Sequence, residues 1–465
     1  MALSLYDTAT RAVRPFEPIE PGKVSMYVCG ATVQSMPHIG HTRSSLVFDV
    51  LTRWLVHNGY EVTYVRNVTD IDDKILTKAA AAGRPWWEWA TTYERAFNDA
   101  YDILGCLKPS AEPRATGHIP QMHTMIAELI ERGHAYASGG DVYFAVRSLP
   151  TYGALSGQRI DEMAQGESVA ADKRDPADFT LWKGAKPGEP YWDSPWGPGR
   201  PGWHIECSAM ARAYLGRRFD IHGGGLDLVF PHHENERAQA IGAGDDFADI
   251  WMHHHWVTLG GEKMSKSLGN TETVPAITAH TRAVALRFYL ISAHYRSPIE
   301  YSREALADSV TSFNRVEGFL LRVRDRAGSG EDIEIGDVPA DFAIAMDDDL
   351  HVPRALAVVH EHVRQGNTAL EAGDHDAARA AAGRVRAMLG MLGTDPLDEQ
   401  WATHRDDTGL LAATGSLVNA LLEQRAQARA AKDFATSDRI RDQLAAAGFV
   451  VQDSRDGATW ALAAR

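Results

Sequence analysis

The chain has 465 residues, 44% of them apolar, which is room for about three domains. Forty-seven basic residues against 62 acidic ones leave a net charge of −15, so no global basic field draws in nucleic acid, and any RNA contact has to use local basic patches. No run of about 18 apolar residues exists to span a membrane, and residues 1–15 lack the apolar core of a signal peptide.

Residues 1–23 are polar, with several prolines, and read as an edge strand or hairpin. Val24, Met26 and Val28 then alternate as a strand that Cys29 and Gly30 end. A loop carries His38-Ile39-Gly40-His41. It leads into an amphipathic helix whose apolar face holds Leu46, Val47, Val50, Leu51, Trp54 and Leu55. Asn58-Gly59 stops that helix, and residues 61–65 form a second β-rich run. Strand, helix, strand at this spacing is a parallel βαβ unit. Its ligand site lies at the carboxyl ends of the strands, against the crossover helix N-terminus, where Cys29, His38 and His41 fall. Free N–H groups and the positive end of a helix dipole suit phosphates there. Gly40 allows close backbone approach. The loop lacks the Gly-Lys-Ser/Thr ending of a Walker-type phosphate loop.

Residues 74–104 read as long helix, broken at Gly83-Arg84-Pro85. Trp86, Trp87 and Trp89 are expected to pack in the core rather than serve as a base-stacking platform. After a turn at Pro113, residues 121–133 read as another helix. The stretch 134–200, rich in Gly and Pro with short β-like runs, looks like a domain inserted between two halves of the nucleotide fold. Its end, residues 178–183 with the turns that follow, fits either a surface loop with a packed Trp or a lip closing over substrate. The nucleotide fold returns at Gly202. Residues 219–222 read as a strand stopping at Gly223-Gly224-Gly225, where a ligand can approach the backbone. Asp227 just beyond is placed to hydrogen-bond ribose hydroxyls.

His232 and Glu236 are four apart at a helix start and share a face. With Cys29 and Cys207 at strand and helix ends that a doubly wound sheet brings to one edge, they make a tetrahedral zinc set; by themselves they also fit a capping or salt-bridge pair. On a strand the three histidines of residues 253–255 alternate faces, so they do not all bind one ion, though one of them can face the nucleotide. From Arg282 the chain is helical, over 301–328 and 344–393. Arg315, Arg322, Arg324 and Arg326 are equally a solvated helix face or an RNA-backbone contact. Residues 394–408 read as a linker. The ending is two helices and a small strand pair, with Arg425, Arg429, Arg441 and Trp460 as RNA contacts or, more simply, structural residues.

His38-Ile39-Gly40-His41 after a first strand resembles the first signature of class I aminoacyl-tRNA synthetases, and Lys263-Met264-Ser265-Lys266-Ser267 resembles the second. Cys29 to Val33, Asn67 to Lys74, Gly202 to Met210 and Phe230 to Glu236 together resemble cysteinyl-tRNA synthetases over nearly the whole chain. The resemblance implies a Rossmann-like α/β parallel-sheet catalytic domain with an inserted domain, followed by a helical bundle and a small C-terminal domain. The boundaries are 1–133 and 202–300 for the catalytic halves, 134–201 for the insertion, 301–393 for the bundle and 409–465 for the anticodon-recognising domain. It implies one Zn²⁺ on Cys29, Cys207, His232 and Glu236, and ATP as substrate with Mg²⁺. His38, His41, Lys263 and Lys266 are the expected catalytic groups. Gly40, Gly224, Asp227 and Lys266 fall to the nucleotide, and Gly30, Thr69 and Trp203 to the amino acid. The partners are L-cysteine, ATP and tRNA(Cys), with no membrane, for a monomer in the cytoplasm. Three cysteines, too few for a disulfide framework, fit that reducing compartment. Zinc binds a thiolate directly and leaves serine's harder, less acidic alcohol, so selection needs no editing site. The family pattern is left at Ala31, at Gln34-Ser35 and near His255. Two rivals remain: a related ATP-dependent ligase joining cysteine to an amino-sugar, which lacks the long helical back half, and a non-catalytic binding protein on the same scaffold, against which the intact signatures speak.

Overall fold

The computed structural model describes residues 2–162, 172–264, 271–327, 332–404, 408–454 and 457–462. Two compact units divide the chain. The first is Met1–Thr278 with Ala283–Gln400, and the second is Ala279–Arg282 with Trp401–Arg465.

The first unit opens with an antiparallel hairpin, β1 (Ser4–Asp7) and β2 (Ala12–Pro15). Strand β3 (Lys23–Val28), helix α1 (Ile39–His57) and strand β4 (Glu61–Arg66) form the βαβ unit expected from the hydrophobic period, with β3 and β4 parallel. Gly59, at φ 85°, ends the α1 turn in the left-handed region that glycine tolerates. Helix α2 (Asp73–Ala81) begins at Asp72, whose carboxylate accepts the Lys74 N–H at 2.9 Å. Gly83 and Pro85 separate it from α3 (Trp86–Ile103). Of the three tryptophans expected to pack, Trp86 and Trp89 do, but Trp87 is 59% exposed. It points away because one helix face cannot hold residues one apart.

After α4 (Ile119–Glu131) come β5 (Ala135–Ser138), β6 (Asp141–Phe144), β7 (Phe179–Gly184) and β8 (Gly199–Pro201), an antiparallel sheet in that order. Its inner face shares one core with the parallel sheet: Phe144, Phe179 and Trp182 join Tyr27, Ile126, Ile205, Phe219 and Trp251. Residues 178–183 are therefore neither a surface loop nor a lip. They form a strand, with Trp182 fully buried.

Helix α5 (Trp203–Leu215), strand β9 (Arg218–Gly225), helix α6 (Glu234–Ala243) and strand β10 (Phe247–His254) complete the nucleotide fold. All four central strands are parallel, in the order β10-β9-β3-β4. The chain leaves β3 toward β4 and leaves β9 toward β10, so the order reverses between β3 and β9. A crevice opens at such a reversal, beyond the carboxyl ends of the two strands. Strand β9 does not stop at Gly223 as expected but runs through all three glycines. A Cβ on Gly223 would stand 2.2 Å from the Phe48 ring, and one on Gly224 2.7 Å from His233. These glycines make room for packing against α1 and α6.

Strands β11 (Val257–Leu259) and β12 (Glu262–Lys263), helices α7 (Val274–Thr278) and α8 (Ala283–Ile291), and β13 (Ile299–Glu300) follow. Four helices then form the bundle: α9 (Arg303–Ala327), α10 (Ala340–Asp347), α11 (Val352–Glu371) and α12 (His375–Met391). Fully buried Arg287 ties α8 to α1 through Asp49, and to the end of α12 by donating to the Leu392 carbonyl at 2.9 Å. The expected linker at 394 is not free chain: Thr394 and Asp395 are buried, and Asp395 accepts from Arg386 at 2.9 Å.

The second unit holds α13 (Thr408–Ala430), α14 (Phe434–Ala446) and the antiparallel pair β14 (Phe449–Ser454) and β15 (Gly457–Leu462). Val418, Leu422, Ile440 and Leu444 make its core, with Trp460 packed against them and donating to Asn419 at 3.0 Å. Arg425, one of the expected RNA contacts, is buried, while Arg429 and Arg441 are exposed.

Candidate active site and metal centre

A cavity of about 570 Å³ lies at the carboxyl ends of β3 and β9. Cys29, Gly30, His38, Gly40, His41, Thr69, Trp203, Cys207, Asp227 and His232 all line it. Gly224 does not; its neighbour Gly225 does. A Cβ on Gly224 would meet the His233 ring, so Gly225 is the glycine of the three that borders the cavity.

Cys29 leaves β3, Cys207 lies on α5, and His232 and Glu236 lie one turn apart at the start of α6. One ligand atom from each of the four lies within 4.8 Å of the others, and all four residues are buried. Cys29 Sγ donates to Glu236 Oε1 at 3.2 Å, and His232 Nε2 is 2.9 Å from the same oxygen. A tetrahedron of zinc-length bonds has edges of about 3.3–3.8 Å, so small side-chain shifts suffice to seat an ion. Two sulfurs, an imidazole and a carboxylate fit that metal's preferences.

The four ligands are held from behind. Glu236 Oε2 meets His222 Nε2 at 2.8 Å. His232 Nδ1 meets His204 Nδ1 at 3.0 Å, and Trp203 stacks on the His232 ring at a centroid distance of 4.4 Å. These contacts fix which ring nitrogen and which oxygen face the centre. Burial opposes charge on every group here; close pairing overrides it on Glu236, His232 and Cys207 but not on Cys29. His222 and His232 hold the Glu236 carboxyl well below the usual range. Burial lowers His232, yet Glu236 and Cys207 carry it up to about 10. Burial raises Cys207, but hydrogen bonds from Cys29 and His232 bring it down to about 6. Burial first, then Cys207, pushes the Cys29 thiol well up. These directions place negative charge on Cys207 and Glu236 and keep protons on Cys29 and His232, protons that a bound metal ion would displace.

A second set, Cys29, His222, His233 and Glu236, meets the same distance limit. It shares two ligands with the first, but neither His222 nor His233 lines the cavity. His233 Nδ1 is paired with His253 Nε2 at 2.7 Å, and His253 in turn with Thr8 Oγ1 at 2.7 Å. His204, His222 and His233 were not singled out from the sequence. The signal was present for two of them: His204 is i, i+3 with Cys207, and His222 shares a strand face with polar Asp220.

The signature histidines sit at the helix start. His38 caps α1, and its backbone N–H donates to His41 Nδ1 at 3.2 Å, which leaves Nε2 as the protonated nitrogen of neutral His41. The two rings lie 3.7 Å apart. A Cβ on Gly40 would come within 2.9 Å of the His38 ring, so glycine lets that ring fold back. Gly30 N–H donates to Asn67 Oδ1 at 2.8 Å, and a Cβ there would overlap the Asn67 carbonyl. Thr69 Oγ1 lies 2.9 Å from Glu206 Oε2. Asp227 accepts from the Trp256 indole at 3.0 Å. Of the three adjacent histidines, His254 lines the cavity while His253 points into the core pair with His233. Alternation along β10 separates them as expected. Lys263 ends β12, beside the cavity-lining Met264. Lys266 lies outside the described residues.

Residues 15–311 match the family model for the class I (C) tRNA synthetase catalytic domain. Residues 341–394 match the DALR domain, and residues 413–460 the cysteinyl-tRNA ligase anticodon binding domain. Among solved structures, the chain is similar to a Mycobacterium tuberculosis methionyl-tRNA synthetase in complex with methionyl-adenylate, with TM-score 0.58 and 16% identity over 81% of this chain and 90% of that one. It is also similar to the Agrobacterium radiobacter K84 LeuRS–tRNA–LeuAMS ternary complex, with TM-score 0.60 and 11% identity over 84% and 86% of the two chains. A putative arginyl-tRNA synthetase from Campylobacter jejuni aligns with TM-score 0.53 and 14% identity over 80% and 92%. At these identities the likeness is one of fold.

Proposed function

Since the chain belongs to the class I cysteinyl-tRNA synthetase family, and is therefore a cysteine–tRNA ligase, we propose that the cavity at the β3–β9 reversal selects L-cysteine through a zinc centre and activates it with ATP. The observation that carries this reading is the convergence of Cys29, Cys207, His232 and Glu236, the first three of which line the same cavity as His38 and His41.

The reaction has two steps. A carboxylate oxygen of cysteine attacks the α-phosphorus of ATP, taken as its Mg²⁺ complex, and pyrophosphate leaves. A 3′-terminal ribose hydroxyl of tRNA(Cys) then attacks the cysteinyl carbonyl, and AMP leaves. Neither step needs a protein nucleophile, so the side chains act by positioning and charge stabilisation. His41, with its proton on Nε2, donates to the phosphoryl oxygens, and His38 stacks beside it as the second donor. Lys263 and Lys266 supply positive point charge as the phosphate chain gains charge. Gly225 and Asp227 hold the nucleoside at the β9 side. Gly30, Thr69 and Trp203 border the amino acid. Zinc on Cys29, Cys207, His232 and Glu236 supplies a soft Lewis acid that prefers a thiolate to an alcohol. Glu206, whose carboxyl is pushed well up by burial, anchors the Thr69 hydroxyl behind the substrate.

No helix among the described residues is long and apolar enough to cross a membrane. All three cysteines are free, which suits work in a reducing cytoplasm. The terminal domain matched over residues 413–460 supports tRNA over an amino-sugar as acceptor. The test is cysteine-dependent ATP–pyrophosphate exchange on metal-analysed protein, followed by transfer to total tRNA. Exchange, about one zinc per chain and cysteine on the tRNA are expected. Exchange with transfer only to an amino-sugar would overturn the acceptor, and no exchange in folded, zinc-loaded protein would overturn the reaction.

A further inference from the structure

Helix α2 carries its charges on separate faces. Asp73 is consumed by the antiparallel sheet: Lys183 Nζ donates to it at 2.7 Å, and Arg200 pairs with its other oxygen. Lys74 and Lys78, one turn apart, face the other way and line the cavity. Among the described residues neither ammonium has a carboxylate partner. Lys78 Nζ instead donates to the neutral Gln34 Oε1 at 2.9 Å, and its pKa is lowered by burial and by Lys74. By contrast Arg66, also on the cavity wall, is neutralised by Glu112 at 2.6 Å and held by Ser45 at 2.8 Å. In a chain with a surplus of 15 acidic charges, two unpaired ammoniums held side by side at a cavity are a cost unless an anion joins them.

The sheet order says which anion. The nucleoside side of the cavity, with Gly225, Asp227, His254 and Trp256, follows β9 and β10. The lysine pair follows β4, at the opposite end of the four-strand row. Three strand spacings, about 14 Å, separate β10 from β4. Cys29 and Gly30, which follow β3, lie between the two ends. A second substrate that must reach the activated carboxyl without displacing the nucleotide enters from the β4 end.

We propose that Lys74 and Lys78, steadied by Gln34, form a phosphodiester-binding pair that guides the single-stranded 3′ end of the acceptor RNA into the cavity. The ammoniums bind as point charges, so the pair reads backbone phosphate and not base identity. It acts in the transfer step and leaves adenylate formation alone. The inference rests on the ligase reading above.

The test uses the full chain with K74Q, K78Q, the double variant and the charge-preserving K74R/K78R. Three quantities are read: pyrophosphate exchange, RNA charging, and affinity for end-labelled tRNA with and without its 3′-terminal unpaired nucleotides. In the double variant, charging kcat/KM falls about tenfold while exchange stays within about twofold. The salt slope for intact RNA drops by about 1.4, at ~0.7 per single-strand phosphate. RNA lacking its 3′ end binds the double variant and the unaltered chain alike, and K74R/K78R restores charging. A parallel loss of exchange with a raised KM for ATP would overturn the proposal in favour of nucleotide phosphates. Unchanged charging and salt slope would reduce the pair to a solvated helix face. Equal loss on truncated RNA would move the contact away from the 3′ end. Absent exchange in the unaltered chain would retire the ligase reading, and the RNA titration would still decide the lysines.

Discussion

His222 Nε2 holds Glu236 Oε2 at 2.8 Å, and this contact turns the other carboxylate oxygen, Oε1, toward Cys29 and His232. His222 does not line the cavity described above, yet it decides which lone pairs of Glu236 an ion meets. Replacing it with Leu removes the support and leaves the ligands in place. Zinc affinity, measured by chelator competition, is expected to fall about 10- to 100-fold. An unchanged affinity would mean that α6 alone orients Glu236.

In the zinc reading proposed above, the two sulfurs carry the discrimination. In Cys207→Ser the centre loses the thiol held down at about 6, the one that most readily becomes a thiolate. Bound zinc is expected to drop from about one per chain toward zero, and the preference for cysteine over serine in exchange to shrink to the ~10²-fold or less that pocket shape supplies. Persistence of strong selection against serine in metal-free protein would show that shape does the work.

A packing prediction follows from β9. A Cβ on Gly223 would lie 2.2 Å from the Phe48 ring of α1. Gly223→Ala is expected to destabilise the chain by about 1–3 kcal/mol through overpacking. Adding Phe48→Leu frees space, so the double variant is expected to melt above the sum of the two single losses. Simple additivity in the denaturation midpoints would rule the contact out as the cause.

Stability in acid depends on Asp49. Burial raises this carboxyl, but Arg287 and Arg53 together bring it below the ordinary value of 3.8. A depressed carboxyl stabilises the fold above its unfolded pKa, and that contribution disappears as pH falls through the folded value. The acid limb of the stability curve is thus expected to steepen below about pH 4. Asp49→Asn leaves Arg287 buried and uncompensated, at a cost of about 3–5 kcal/mol, and flattens that limb. Urea midpoints across pH 3–6 for both chains test this, and parallel curves would refute it.

Local pattern made the frame legible. The strand alternation at Val24, Met26 and Val28 and the apolar face of α1 gave a parallel βαβ unit, and both elements stand where the periods placed them. The break read at Gly83-Arg84-Pro85 is where α2 ends and α3 begins. The misreadings came where side-chain type and tertiary burial part ways. Three glycines looked like a strand end because glycine weakens strands in isolation. In the fold they continue β9, since Phe48 and His233 occupy the space their side chains would need. Residues 178–183 looked like loop because turns surround them, and Trp182 is buried in a sheet where it pairs with Val142 on one side and Pro201 on the other.

What the sequence by itself determined is chemistry and order: two histidines at a helix start, a lysine signature downstream, and four good metal ligands drawn from three separate stretches of chain. Those are properties of residue type and spacing, which are local. Only the tertiary structure decided which ligands meet and which face the cavity. Cys29 and Glu236 are 207 positions apart and touch at 3.2 Å because β3 and β9 pair across the reversal of the sheet. The same pairing sets His222 behind Glu236 instead of in the cavity, and the β3–β4 pairing puts Lys74 and Lys78 at the end of the row opposite Gly225 and Asp227. Strand order is fixed by the burial of both sheet faces at once, a sum over the whole chain that no window of sequence contains.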